Sequence, residues 1–168
     1  MSEELDTTDA AVSPSPTERV EAAASALGLE IEVQARPEAG SLFEAAELLG
    51  IHPADIVKTL VVARHDGTYL FALVPGDRQI SWPLLRAVVG VNKLRLPPPE
   101  DALAATGYER GTIVPVGSTT AWPVFADERM LGRRVALGAG AHGFSLFVDA
   151  DALVAALGAT VADITVPI

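Results

Sequence analysis

Three short segments of this 168-residue chain combine residue types that could bind and polarise an anionic, carbonyl-bearing molecule. Lys58 lies within the apolar segment 56–62, where a buried ammonium is costly unless an anion pairs with it. The second segment is the loop-like sequence Gly-Thr-Ile-Val-Pro at 111–115. The third, 138–143, has few large side chains around His142. If folding brings these segments together, a cation, an amide-rich loop and an imidazole border one pocket.

Each segment also has a purely structural interpretation. Glycine lets a backbone approach a ligand, and free peptide N–H groups stabilise the negative charge that develops on a carbonyl oxygen during ester hydrolysis. An ordinary turn before a strand would have the same spacing of Gly111 and Pro115. Lys58 could extend its stem over apolar surface, and His142 could be a loop residue bonded to backbone. The residues alone leave these alternatives open.

Composition argues against several kinds of site. The chain has no cysteine, and its histidines at 52, 65 and 142 lack metal-ligand spacing, so we expect neither a thiolate nor a metal site and no cofactor. No Ser-His-Asp or Cys-His set is evident, which disfavours a covalent intermediate and an ordinary small-molecule esterase.

The formal charge of −10 weighs against nonspecific nucleic-acid binding, so any RNA must be held locally. No apolar run approaches the length of a membrane span, and no secretory signal is evident. We therefore expect a cytoplasmic protein with no membrane partner. The sequence does not predict an oligomeric state.

The apolar pattern, helix caps and breakers predict a mixed α+β fold. Residues 1–16 are expected to form a disordered acidic tail ahead of one domain at 17–168. Strands at 58–63 and 69–74 should form a hairpin across Asp66 and Gly67. Further strands are expected at 31–33, 91–96, 113–114, 124–126, 134–137, 144–148 and 161–165, with helices after Thr17, Ser41, Ser81, Pro99 and Asp149. This irregular alternation favours a mixed, curled sheet that tends to a barrel and is flanked by helices.

The order and spacing of five motifs resemble the YbaK/EbsC-type aminoacyl-tRNA deacylases, relatives of the editing domain in bacterial prolyl-tRNA synthetases. The motifs lie at 45–50, 57–60, 74–78, 106–115 and 139–143. A single motif such as Lys-Thr-Leu would carry no information, whereas five in the family's order are specific. The resemblance covers residues 18–166.

The resemblance implies a trans-editing hydrolase that removes a wrong amino acid from the 3′ end of tRNA by water attack on the aminoacyl ester. Editing is needed because a synthetase distinguishes one methylene by only about 1–3 kcal/mol. The implied partner is a mischarged tRNA, and a prolyl-tRNA synthetase complex is a further candidate. Which amino acid and which tRNA are edited is not predicted.

The resemblance assigns catalytic roles to Lys58, Gly111 and His142. Lys58 would hold a substrate phosphate or carbonyl oxygen, the loop at Gly111 would stabilise the developing charge, and His142 would orient water or contact the amino acid. Tyr108 and Phe43 are candidates to stack on the terminal adenine. The full set expected to bind substrate is Thr59, Tyr108, Thr112, Ile113, Val114, Pro115, Gly138, Gly140 and Phe43.

Two positions depart from the family. Many members carry a serine where this chain has Gly138 and an aspartate where it has Ser145. Both positions shape the family's pocket, so their loss supports an alternative hypothesis. The chain could be a non-catalytic module that binds an aminoacyl-adenosine or a related nucleotide, because a shared fold need not retain the chemistry.

Overall fold

The computed structural model describes residues 13–168. Of the acidic tail expected at 1–16, residues 1–12 lie outside the described residues. Helix α1 (Pro16–Ala26) begins slightly earlier than predicted, because Ser15 rather than Thr17 is its N-cap. The Ser15 hydroxyl accepts from the Glu18 amide while the Glu18 carboxylate accepts from the Ser15 amide, which completes a capping box.

Strands and helices follow one another irregularly, which confirms the predicted α+β class. The remaining helices are α2 (Leu42–Leu49), α3 (Trp82–Val89), α4 (Pro99–Thr106) and α5 (Ala150–Leu157). The strands are β1 (Glu32–Ala35), β2 (Val57–Arg64), β3 (Tyr69–Pro75), β4 (Arg78–Ile80), β5 (Leu94–Arg95), β6 (Val124–Asp127), β7 (Arg134–Gly138), β8 (Phe144–Asp149), β9 (Thr160–Ala162) and β10 (Thr165–Pro167). Short 3-10 helices lie at Pro53–Asp55 and Glu128–Met130.

The largest sheet has five strands in the order β5-β2-β3-β6-β9. Strands β2 and β3 form the predicted antiparallel hairpin, whose turn contains Gly67 at a φ of 87°. Strands β3, β6 and β9 run parallel to one another. The sheet is therefore mixed, as predicted.

A second, antiparallel sheet has the order β1-β8-β7, and β4 pairs with β10. One bridge between Ile56 and Ala136 connects the strand segment before β2 to β7. Apolar side chains from both larger sheets, including Val61 and Leu146, share one core cluster. The sheets curl around this core as predicted, and within residues 13–168 they do not close into a barrel.

Helix α3 covers the outer face of the five-stranded sheet. Ser81 caps it as predicted, accepting from the Leu84 amide, and Leu85 packs with Val62 and Leu70. None of the helices in the described part of the chain has the length and apolar character needed to cross a membrane.

Three predicted strands were wrong in detail. Residues 113–114 lie in a loop, where they are apolar because they face the core and not because they pair with a strand. The strand predicted at 91–96 contains only Leu94–Arg95, since three prolines follow at 97–99. The closing strand at 161–165 is divided into β9 and β10, which belong to different sheets.

Candidate active site

A cavity of about 640 Å³ lies between β2, the end of β7, helix α2 and the loop at 111–113. Lys58 and Gly111 both line it, although they lie far apart in the sequence. Thr59, Ile113 and Gly138 also contribute to its wall. The fold therefore brings the lysine and the glycine loop to one hollow of the size typical for small-molecule sites.

The charged side chains that line the cavity are all cations: Arg36, Lys58 and Arg110. Among the described residues, no aspartate or glutamate contributes to the lining. The whole chain has 22 acidic and 12 basic residues. The cavity is thus a local cationic site in an acidic protein, which suits an anionic ligand.

Lys58 is half-buried on β2, and its Nζ donates a hydrogen bond to the carbonyl oxygen of Arg78 over 2.6 Å. Burial lowers the pKa of Lys58, and the nearby carboxylate of Asp77 partly opposes that effect. An ammonium has three donors. One is used on Arg78, which fixes the amine and leaves the others for a ligand.

Thr59 presents main-chain groups along an unpaired strand edge. The Gly76 amide bonds to Ile56 and the Arg64 amide to Thr68, so even-numbered residues of β2 direct their main-chain groups toward β3. The main-chain groups of Thr59 must then point to the other edge, where β5 pairs only with residues 63–64. The Thr59 hydroxyl is buried and has no hydrogen-bond partner within residues 13–168. Thr59 therefore lines the cavity with its main-chain groups along this strand edge.

The loop that contains Gly111 is held in place by Thr112. The Thr112 amide and hydroxyl both donate to the carbonyl of Glu109, over 3.0 and 2.7 Å. The Thr112 carbonyl accepts from the Gly140 amide at 2.9 Å. Thr112 is itself buried and does not line the cavity, so its polar groups fix the loop.

The backbone amides on either side of Thr112 lack such hydrogen bonds in the described part of the chain. Within residues 13–168, neither the Gly111 nor the Ile113 amide has a hydrogen-bond acceptor, and both residues line the cavity. Gly111 has a φ of 88°, a conformation that an L-residue rarely adopts. These two N–H groups are candidate donors to a carbonyl oxygen.

Gly138 packs tightly against this loop. A Cβ atom at Gly138 would lie 2.7 Å from the carbonyl carbon and oxygen of Thr112, and 2.8 Å from the oxygen of Ile113. A serine at this position would therefore collide with the loop backbone. Opposite Gly138 in the β7–β8 register lies Ser145, whose hydroxyl accepts from Arg36.

His142 lies beside the loop but outside the cavity lining. A Cβ on Gly111 would lie 3.9 Å from His142 Cε1, so the ring is adjacent to the loop. The His142 side chain is 59% exposed, and its Nε2 lies 3.3 Å from a carboxylate oxygen of Glu109. The imidazole therefore lies at the outer rim.

The other expected binding residues are not at the cavity wall. Tyr108 is fully buried, its hydroxyl donates to the Val116 carbonyl, and the Arg19 guanidinium lies over its ring. Gly140 packs against that ring. Phe43 is 54% exposed on α2 but does not line the cavity. Thr112, Val114 and Pro115 are buried and do not line the cavity.

Several lining residues were missed by sequence reasoning. Arg36 belongs to no motif, and Arg110 lies inside the motif at 106–115 but was not among the candidate site residues. Leu42, Ala45 and Leu49 line the cavity from one face of α2. Their spacing of three and four residues did indicate an apolar helix face, but not that this face borders a cavity.

The sequence model for the aminoacyl-tRNA editing domain matches residues 36–156. The chain belongs to this family. The editing domain is 38% identical over 115 residues to a proline–tRNA ligase of Shouchella clausii, a match that covers 68% of this chain and 20% of the ligase. It is 29% identical over 121 residues to a protein of Enterococcus faecalis named "Putative Cys-tRNA(Pro)/Cys-tRNA(Cys) deacylase EbsC", covering 71% of this chain and 74% of that protein.

A solved structure supports both the family and the fold. The crystal structure described as "a putative trans-editing enzyme for prolyl tRNA synthetase" superimposes with a TM-score of 0.84 at 30% identity, covering 93% of this chain and 99% of that one. The predicted family and fold class are thereby confirmed. The match covers only about a fifth of the ligase mentioned above.

Proposed function

We propose that this editing domain acts in trans to hydrolyse the ester that joins a wrong amino acid to the 3′ adenosine of a tRNA. One observation carries the proposal. Lys58, Gly111 and Ile113 line one cavity that has no acidic side chain among its described lining residues, and the amides of Gly111 and Ile113 have no acceptor within residues 13–168. These groups suit a substrate that develops negative charge on a carbonyl oxygen.

The reaction is direct attack by water on the carbonyl carbon. The serine and threonine hydroxyls of the wall have no histidine or carboxylate beside them in the described lining, so none is activated as a nucleophile. The amides of Gly111 and Ile113 stabilise the oxyanion as the carbon becomes tetrahedral. The bond to the ribose oxygen then breaks, and the proton of the attacking water passes to that oxygen through the neighbouring ribose hydroxyl.

Lys58 positions the substrate. Its ammonium, fixed by Arg78, contacts a phosphate or the ester carbonyl and so places the ester against the loop. His142 is assigned to the rim beside the loop because of its exposure, and Tyr108 to the core. Thr59 supplies hydrogen bonds from the strand edge.

The proposed substrate is a mischarged proline tRNA, met in the cytoplasm where translation takes place. The relatives support this choice, since they include proline–tRNA ligases and a protein named for Cys-tRNA(Pro). A prolyl-tRNA synthetase is the corresponding candidate partner. The acidic surface limits the contact with RNA to the cationic cavity and its rim.

The second candidate function is binding of an aminoacyl-adenosine without hydrolysis. The absence of the family serine and aspartate, at Gly138 and Ser145, favours it. The test is to incubate the pure protein with proline tRNA charged with alanine, serine or cysteine, and to follow ester loss against a no-enzyme control. Accelerated loss of at least one amino acid supports the hydrolase. Tight binding with ester lifetimes equal to the control establishes the binding module instead.

A further inference from the structure

Arg36 is a second cation in the cavity that no sequence motif had marked. It follows β1 directly, and its backbone amide donates to the Gly143 carbonyl. Its Nε donates to the hydroxyl of Ser145 at 2.9 Å, and its Nη1 donates to the carbonyl of Pro37 at 3.0 Å. Both Arg36 and Ser145 line the cavity. The guanidinium is therefore oriented by neutral acceptors at the cavity wall.

The charge of this guanidinium is not neutralised by the protein in the described region. The ion pairs within residues 13–168 involve Arg129, Arg133, Arg134 and His142, and none involves Arg36. A guanidinium has five N–H donors. Two bond to Ser145 and Pro37, so three remain for a ligand. The Ser145 hydroxyl accepts from Arg36 and keeps its own hydrogen free to donate.

We propose that Arg36, oriented by Ser145, binds a phosphodiester of the unpaired 3′ end of the tRNA; this inference rests on the proposed function. A carboxylate at position 145 would pair with Arg36 and cancel its charge. Serine orients the guanidinium without neutralising it. Arg36 and Ser145 thus form an anion site, because guanidinium groups match phosphate geometry with paired donors.

The position of Arg36 favours a phosphate over the side chain of the amino acid. Arg36 is half-exposed, and the neighbouring Pro37 and Phe144 are exposed, so this group lies at the mouth of the cavity. The ester must reach the Gly111 loop, while the nucleotide chain leads back out to solvent. A phosphate therefore passes the mouth, where Arg36 lies.

The first test measures binding without catalysis. A fluorescent, uncharged single-stranded RNA that ends in CCA is titrated at several salt concentrations with Arg36→Gln, Ser145→Asp and the wild type. We expect each substitution to weaken binding about five- to tenfold at low salt, as for one partly exposed charge-assisted bond. The slope of log affinity against log salt should decrease by about 0.7. Arg134→Gln, which removes an exposed arginine on the same sheet outside the cavity, should bind like the wild type.

Unchanged affinity and salt slope in Arg36→Gln, with an unaltered melting curve, would overturn the proposal. Ser145→Ala keeps the charge but not its orientation, so a smaller loss than that of Ser145→Asp is expected. An equal loss in both would show that packing, and not charge, accounts for the effect.

The second test asks whether Arg36 contacts a phosphate of the tRNA or the amino acid. Deacylation of charged tRNA is compared with that of an aminoacyl-adenosine that lacks phosphate. Arg36→Gln should raise KM for the tRNA about five- to tenfold with little change in kcat, and should leave the aminoacyl-adenosine reaction unchanged. A loss that persists on aminoacyl-adenosine and varies with the amino acid would assign Arg36 to amino-acid recognition and refute phosphate binding. Failure of the wild type to hydrolyse either substrate refutes the deacylase, while the RNA titration still decides this proposal.

Discussion

The ammonium of Lys58 is bonded to the backbone of Arg78, and the side chain of Arg78 connects it to the core. Arg78 Nε donates to the hydroxyl of Thr165 at 2.7 Å, and that hydroxyl donates to Asp127, which is fully buried. The pairing of β4 with β10 supports the same contact. The position of the proposed substrate-binding amine is thus fixed by residues of β4, β10 and β6.

The lowered pKa of Lys58 predicts an alkaline limit on activity. Since burial favours the neutral amine, Lys58 loses its proton in the folded protein below its ordinary value of 10.5. Catalysed deacylation, after subtraction of spontaneous hydrolysis, should therefore decline with a midpoint below that value. Lys58→Arg should move the midpoint upward, because arginine stays charged. A catalysed rate that follows the same pH curve in both proteins would contradict the prediction.

The same shift has the opposite consequence for stability. Between the lowered pKa of folded Lys58 and 10.5 for the unfolded chain, the folded state binds fewer protons at this site. The contribution of Lys58 to the free energy of unfolding therefore increases with pH in that window. Relative to Lys58→Met, the wild type should gain stability across this range in denaturant titrations. A difference that stays constant with pH would count against the buried amine.

The contact of Gly138 with the loop predicts that the family's serine cannot simply be restored. Gly138→Ser should lower the free energy of unfolding by about 1–3 kcal/mol and reduce deacylation, since the new Cβ must displace Thr112 and Ile113. Gly40→Ala is the matched control, because its Cβ would meet only the flexible Glu44 carboxylate, at 3.3 Å. Thermal melts and rates of both variants provide the measurement. A Gly138→Ser protein as stable as Gly40→Ala and more active than the wild type would refute this account.

Tyr108 is predicted to stabilise the core and not to contact the substrate. Tyr108→Phe leaves the Val116 carbonyl without its donor and should reduce the free energy of unfolding by about 1–2 kcal/mol. Below the melting transition, kcat and KM should stay at wild-type values because the ring does not reach the cavity. An increase in KM without a change in melting would instead indicate contact with the terminal base.

A substitution of His142 tests whether this residue at the cavity rim takes part in the reaction. Its exposure and its weak contact with Glu109 predict that His142→Ala changes the deacylation rate by no more than about threefold. Rates on charged tRNA across pH 5–8 would show this. A loss of a hundredfold, or a change in the shape of the pH–rate profile across this range, would assign the imidazole to the reaction.

Much of the fold could be predicted because local signals and burial agree. The β2–β3 hairpin has two apolar runs joined by a glycine turn, and Ser41, Ser81 and Asp149 cap the helices expected after them. Short edge elements were less predictable, since the pairing of β4 with β10 depends on contacts 87 residues apart in the sequence. The apolar loop at 113–114 imitates a strand because burial alone does not specify pairing.

The candidate site was only partly predictable. Lys58 and Gly111 were found through motifs, but the residues around them come from segments whose packing one sequence does not specify. Arg36 has no local pattern, and its importance comes from Ser145, which is 109 positions away. Tyr108 and Gly140 lie within matched motifs, yet they pack behind the loop and do not line the cavity. A motif match therefore did not distinguish residues of the cavity wall from residues that support it.

The most direct measurement is the single-turnover rate of ester loss from alanine-, serine- or cysteine-charged proline tRNA, with excess wild-type protein or Lys58→Met. We predict acceleration over the spontaneous rate for at least one amino acid in the wild type, and a loss of about a hundredfold or more in Lys58→Met while that protein remains folded at the assay temperature. Equal rates in the two proteins, with both folded, would contradict the assignment of this cavity as the site of hydrolysis.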